Sequence, residues 1–308
     1  MLLLLVLSSY DSIWAQSSVG LRNYIFSPIA VSPSYAGRTN GELNLIYNNQ
    51  WAGMEGSPQT FLLSMDFMNA YRLGSNFQIF NDQIGPIRNT SFKMSNAYHL
   101  QMSELDFFSF GMQYGLNNLA IDVVNSKFLD PQDFIILNGN ITDWFFNVDV
   151  SGTYYNPWGY AGVTFRNLIR TDILINNYSA RGMHLYFGSE REMMPNWDFS
   201  YSFLVNWIEN LPVDPNLHCF FKYQDMVSVG ATFSRNSIGA AYQITAAESY
   251  KLFYSFNFPL TQLAYFTRQN HAVGISIDMI KPSRMVIESP LFFLWKLGSS
   301  SPFYTQDC

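Results

Sequence analysis

Met226-Val227-Ser228-Val229-Gly230-Ala231-Thr232-Phe233-Ser234 alternates at every step. Successive side chains of an extended chain point to opposite faces. Val227, Val229, Ala231 and Phe233 therefore share one side, and Ser228, Gly230, Thr232 and Ser234 the other. The polar set is small and uncharged, unlike the Lys- and Glu-rich outer face of a soluble sheet. The pattern recurs near the end of the chain, where His271, Val273, Ile275, Ile277 and Met279 oppose Ala272, Gly274, Ser276 and Asp278. Apolar residues facing lipid and small polar residues facing a hydrated lumen fit both stretches.

Working outward, similar segments recur near 42–49, 60–68, 73–81, 90–99, 107–121, 144–155, 158–166, 183–190, 197–207, 215–223, 227–234, 236–244, 250–259 and 270–280. That makes about 14 strands, an even number as an up-and-down barrel requires. Asn156-Pro157 and Arg235-Asn236 carry turn chemistry, and Asn81-Asp82 before Gly85-Pro86 also reads first as a turn. Ile121 to Asp143 and Asn167 to Gly182 read as longer surface loops. Tyr71, Tyr98, Tyr154, Tyr155, Trp158 and Tyr160 stand near strand ends, where aromatic girdles form.

Composition supports the membrane reading. Aromatic residues make up 17% of the 308-residue chain and charged residues 13%, against roughly 25% charged in an average soluble domain. Mean hydropathy is -0.01, and after the first residues no stretch nears the ~20 apolar residues of a membrane helix. A barrel averages its hydropathy away because the two faces alternate. A net charge of -6 and a pI near 5.1, with no basic stripe, exclude a nucleic-acid surface.

The organisation expected is a signal peptide over 1–15, with apolar Leu2 to Leu7 and cleavage after Ala15; an irregular segment over 16–41; a single all-β outer-membrane barrel over 42–280; and a tail over 281–308. The irregular segment carries Pro28, Pro33, Tyr24, Phe26 and Tyr35 without alternation. It is either a plug within the lumen or a docking arm, since irregular backbone at membrane depth must be covered by protein or water.

Three blocks carry a family resemblance: Tyr24-Ile25-Phe26-Ser27-Pro28, Ser32-Pro33-Ser34-Tyr35-Ala36-Gly37, and Asn49-Gln50-Trp51-Ala52-Gly53-Met54-Glu55-Gly56-Ser57-Pro58-Gln59-Thr60. The chain resembles the PorP/SprF family of outer-membrane proteins of the Bacteroidota type IX secretion and gliding machinery. Family members usually have Asn-Pro at Ser27-Pro28 and Ser32-Pro33, and Ala-Pro at Ser57-Pro58. Likeness continues through Asn81 to Pro86, Asn89-Thr90, the hairpin from Gly152 to Gly162, Asn167-Leu168 and His271. It implies a barrel that binds secreted or cell-surface proteins, such as adhesins recognised through carboxy-terminal signal domains, or that anchors periplasmic machine components. It further implies partner-binding roles for Tyr24, Phe26, Trp51, Asn81 and Asp82, with type IX translocon or periplasmic components, a large adhesin and outer-membrane lipid as partners. The rival reading is an outer-membrane channel for a small solute.

Trp51 between flexible residues and Gly53 and Gly56 has two readings, an aromatic clamp for a sugar or peptide and a tight turn anchored by an interfacial Trp. No nucleophile elbow, zinc-binding His pair or phosphate-binding glycine loop is present, so neither an enzyme nor a cofactor is expected. His218 and Cys219 are neighbours in a strand and point apart, which disfavours joint chemistry, and a Cys219–Cys308 disulfide is left open. Glu190-Arg191-Glu192 reads as a solvated strand end.

Overall fold

The computed structural model describes residues 24–39, 41–69, 71–122, 140–171, 180–224, 226–246, 249–260 and 269–279. The expected signal peptide over 1–15, the expected tail over 281–308 and Cys308 lie outside them. Fourteen strands follow in order: β1 (Glu42–Asn49), β2 (Gln59–Met68), β3 (Leu73–Ile84), β4 (Ile87–Gln101), β5 (Phe107–Ile121), β6 (Ile141–Asn156), β7 (Gly159–Arg170), β8 (Gly182–Met194), β9 (Trp197–Ile208), β10 (Asp214–Tyr223), β11 (Val227–Ser234), β12 (Ser237–Ala246), β13 (Tyr250–Pro259) and β14 (Asn270–Asp278). Each pairs antiparallel with its sequence neighbours, and β1 also pairs with β14, so the sheet closes. Leu45 stands opposite Leu63 on one side and Ile275 on the other. Closure leaves no unpaired edge in hydrocarbon.

Side-chain alternation sorts the wall as expected. Val229, Phe233 and Val273 are exposed on the outside, together with Phe77, Phe92, Leu116 and Phe187. Ser228 and Thr232 are buried on the inside, among hydroxyl and amide side chains from nearly every strand. Lys251 bridges Glu42 and Asp278, each at 3.2 Å, and ties β13 across the β1–β14 seam. His218 is buried inside, whereas Cys219, its neighbour on β10, lies on the other face.

Several boundaries move. Asn81 and Asp82 are not turn residues: β3 runs on to Ile84 and pairs them with Thr90 and Asn89, leaving Gly85 and Pro86 as the turn. Ladder hydrogen bonds outweigh the turn preference of the Asn-Asp pair. The loop placed at 121–143 narrows, because Ile121 pairs with Ile141 and Asp143 with Leu119. The loop placed at 167–182 also narrows, since β7 continues to Arg170 past an irregularity between Val148 and Val150. Asn167, at φ 53°, absorbs the break by donating its N–H to Asp149 Oδ1 at 2.7 Å. Asn156 closes β6 and accepts the N–H groups of Trp158 and Gly159 at 2.9 and 3.0 Å.

The chain enters β1 and leaves β14 at one end, with Glu42 opposite Asp278. Connections at that end span 69–72, 102–106, 157–158, 195–196, 224–226 and 247–249. Connections at the other end are mostly longer, at 50–58, 122–140, 171–181, 209–213 and 260–269, apart from the tight turns 85–86 and 235–236.

Candidate functional site: the segment inside the lumen

Residues Tyr24 to Thr39 occupy the interior of the barrel as three single-turn 3-10 helices, Tyr24–Phe26, Pro28–Ala30 and Pro33–Tyr35. Proline explains two of them: Pro28 and Pro33 open their turns with φ preset and no N–H to satisfy. Turns this short leave carbonyls and amides free, and the wall meets many of them. Ser34 bonds the wall from both sides of its peptide unit: its N–H donates to Ser151 Oγ at 2.8 Å and its carbonyl accepts from Ser109 Oγ at 2.7 Å. Its hydroxyl pairs with Thr153 and with Ser32 at 2.8 Å. Tyr186 donates to Ser32 Oγ at 2.7 Å.

Two histidines fix carbonyls of the segment. His99 Nε2 donates to the Ala36 carbonyl at 2.8 Å, which leaves Nδ1 as the acceptor for the Tyr155 hydroxyl at 3.1 Å. His184 Nδ1 donates to the Val31 carbonyl at 3.0 Å. Asp66 on β2 accepts from Gly37 N–H at 2.7 Å and from the N–H and hydroxyl of Thr39 at 3.1 and 2.8 Å. Charge-assisted bonds of this kind contribute about 1.5–3 kcal/mol each, so Asp66 is the firmest polar hold on the segment.

Close approach of two backbones requires glycine on the wall. A Cβ on Gly111 would collide with Ser34 N, and one on Gly74 with the Ala36 carbonyl. Gly37 itself has φ 81° and faces Gly74. Segment and wall therefore interlock by main chain as well as by side chains.

The early aromatic residues take up the opposite sector. Phe26 stacks on Phe253 at a 4.0 Å centroid distance and meets Phe220 edge-on at 5.9 Å. Tyr24 sits edge-on to His218 at 4.9 Å, and its hydroxyl bonds Ser202 Oγ at 2.7 Å. Tyr35 lies between Tyr160 and Tyr186 at 6.3 and 5.9 Å. Tyr155 and Tyr160 were expected in an outer girdle; instead both are buried in the lumen, at 3% and 8% exposure. The parity of Ser151 and Thr153 already assigns Tyr155 to the polar face. Tyr71, Tyr98, Tyr154 and Trp158 are exposed on the outside.

The five residues singled out from sequence do not converge. Tyr24 and Phe26 are in the lumen. Trp51 lies in the 50–58 connection at the long-loop end, at φ 54°, with its N–H on Asn270 Oδ1 at 2.9 Å. That connection clasps both neighbours, through Ala52 N–H to Gln269 O at 3.0 Å and Gly85 N–H to Gly56 O at 2.9 Å. Asn81 donates to Thr90 Oγ1 at 2.7 Å, and Asp82 accepts from Thr60 Oγ1 at 2.7 Å. Glu190 is a further correction: it is 3% exposed and bonded to Lys222 at 2.5 Å inside the barrel, whereas Arg191 and Glu192 are exposed. Its even position on β8, in phase with His184 and Tyr186, turns it inward. His271 faces outward and bonds the Tyr254 hydroxyl at 2.6 Å. Among the described residues no group of three or more His, Cys, Asp or Glu is placed to hold a metal.

Sequence motifs had pointed to the segment but not to its receptors, Asp66, His99, His184, Gly74 and Gly111, which lie on five different strands. Solved structures with this architecture include the CymD monoaromatic hydrocarbon channel, with TM-score 0.50 and 9% identity over 87% of this chain and 95% of that one. The outer membrane protein Omp33 of Acinetobacter baumannii aligns with TM-score 0.45 and 9% identity over 78% of this chain and 98% of its own. The toluene transporter TbuX of Ralstonia pickettii aligns with TM-score 0.45 and 9% identity over 83% and 93%. At such identity the CymD likeness speaks for the barrel fold alone. No curated protein matches the sequence. A family match covers residues 13–277, which takes in the lumenal segment and all but the last residue of the closing strand. This outer-membrane β-barrel belongs to the family described as type IX secretion system membrane protein PorP/SprF.

Proposed function

We propose that the protein is a non-enzymatic binding component of type IX secretion, which holds a secreted or cell-surface protein, or a periplasmic component of the machine, at the outer membrane. Family membership over residues 13–277 is the observation that carries this reading. The lumenal segment adds physical support. A barrel filled by a segment bonded to so many strands is suited to act through its rims and loops, by loop contacts of the kind that rigid scaffolds present. Bacterial barrels keep short turns on the periplasmic side and longer loops outside. On that rule the 50–58 connection with Trp51 faces the exterior, and the junction of the lumenal segment with β1 faces the periplasm. An adhesin with a carboxy-terminal signal domain is the partner class we favour.

The experiment is affinity purification of the tagged protein from detergent-solubilised outer membranes, with mass spectrometry of what accompanies it. Recovery of a translocon component, a periplasmic peptidoglycan-binding protein or a large secreted adhesin is expected. Isolation of the barrel alone, together with persistent open-channel steps in planar bilayers, would overturn the reading in favour of a channel for a small solute.

A further inference from the structure

Arg38 is 2% exposed, and its Nε, Nη1 and Nη2 have no hydrogen-bond partner among the described residues. A buried charge is normally paired or neutralised, because desolvation of an ion is among the largest costs in a fold. Acidic side chains turned into the lumen bond other groups. Asp66 takes the N–H groups of Gly37 and Thr39, on either side of Arg38, and not the guanidinium. Glu190 is bonded to Lys222, and Glu42 and Asp278 to Lys251.

Aromatic rings cover the faces of the guanidinium. The guanidinium carbon is 3.8 Å from the Tyr155 ring centroid and 4.7 Å from that of Tyr35. Cation–π contacts stabilise the charge through the faces of the ion but satisfy none of its N–H groups, which lie in the guanidinium plane. In-plane donors arranged as a fork match the two oxygens of a carboxylate. A guanidinium stays charged in proteins. Location adds a route. Tyr155 and His99 lie one and two residues from the ends of β6 and β4, so the site is close to the short-turn rim.

We propose that Arg38, framed by Tyr35 and Tyr155 between the lumenal segment and the wall, binds a carboxylate that reaches it from the short-turn end. The assignment rests on this geometry and is independent of the secretion reading. Two sources share the chemistry, a free small carboxylic acid and the carboxylate of a polypeptide, and the experiment separates them.

The full-length barrel in detergent is titrated at constant ionic strength with sodium acetate, with N-acetylglycine, with N-acetyl-trialanine as a peptide acid, and with the amides of the last two. Readouts are the midpoint of heat-modifiable gel migration and the line width of 13C-acetate by NMR. Saturable acid-dependent stabilisation and acetate broadening are expected for the wild type, with no response to the amides. Arg38→Met, which keeps the volume, is expected to fold and to lose both responses, and Arg38→Lys to need at least tenfold more acid. A response to acetate and N-acetylglycine but not to the peptide acid identifies a free acid as the ligand class; a stronger response to the peptide acid identifies a polypeptide. Absence of saturable response in the wild type, or identical responses in the wild type and Arg38→Lys, would overturn the assignment.

Discussion

The barrel wall and the segment lodged within it are built by opposite rules. Along β11 each side chain has its face set by parity alone, so Val229 goes to lipid and Ser228 to the lumen whatever the distant chain does. Along Tyr24–Thr39 parity means nothing. Ser34 is held from β5 and β6, Ala36 from β4, Gly37 from β2 and Tyr24 from β9. The wall is local in its logic, and its lipid-facing side is tolerant, because one apolar residue there can replace another. The segment is non-local and intolerant, since every receptor must arrive at the right height on a different strand.

The comparison breaks most clearly at the close backbone contacts. Valine is a favoured strand residue, so Gly111→Val is expected to leave the barrel intact while its side chain displaces Ser34. The expected outcome is the appearance of open-channel steps in planar bilayers together with normal heat-modifiable migration. A silent, closed barrel in that variant would show that the wall adapts to the segment, against the distinction drawn above.

A lipid-facing charge tests the wall by itself. Leu45 stands mid-strand on β1 and is exposed. Leu45→Arg is expected to cost about 2–4 kcal/mol, as arginine does near the bilayer midplane, read as a shift in urea unfolding in lipid vesicles. The polar hold of the segment is next. Asp66→Asn weakens the bonds from Gly37 and Thr39, each worth about 1.5–3 kcal/mol when charge-assisted. Amide exchange at Gly37 and Thr39 is expected to accelerate, while that of β11 stays unchanged.

Phe26→Ala is expected to have a smaller effect. It removes a stacked pair with Phe253 worth about 0.5–1.5 kcal/mol beyond its area, seen as faster exchange confined to the first two turns of the segment. The smallest effect lies at the short-turn rim. Hydrogen bonds from Ser103, and then from Tyr154, hold the Asp106 carboxyl below its ordinary pKa. A depressed carboxyl contributes stability above its unfolded pKa, near 3.9, and the contribution is lost as pH falls through the lower folded value. The 102–106 turn is therefore expected to keep its amide protection at neutral pH and lose it under acid, with no change between pH 6 and 8.

Legibility followed the same divide. Strand positions, their even number and the two faces were readable because lipid and lumen each select one residue class at every second position. Where a reading failed, a tertiary contact had intervened. Asn81 and Asp82 look like turn residues but are held in β3 by Thr90 and Thr60 across the ladder. Tyr155 and Tyr160 look like girdle residues but serve the segment, one bonding His99 and the other Ser202. Glu190 looks solvated between Arg and Glu neighbours, yet Lys222 from β10 meets it inside.

By itself, then, the sequence determined a closed antiparallel barrel in the outer membrane, because a period of two with apolar and small polar faces has few other stable solutions in lipid. It also carried the motifs that place the chain in its family. Only the tertiary structure decided what fills the lumen. The segment has no periodicity of its own, and its conformation is set by Asp66, His99, His184, Gly74 and Gly111, residues up to roughly 150 positions away that closure of the barrel brings around it.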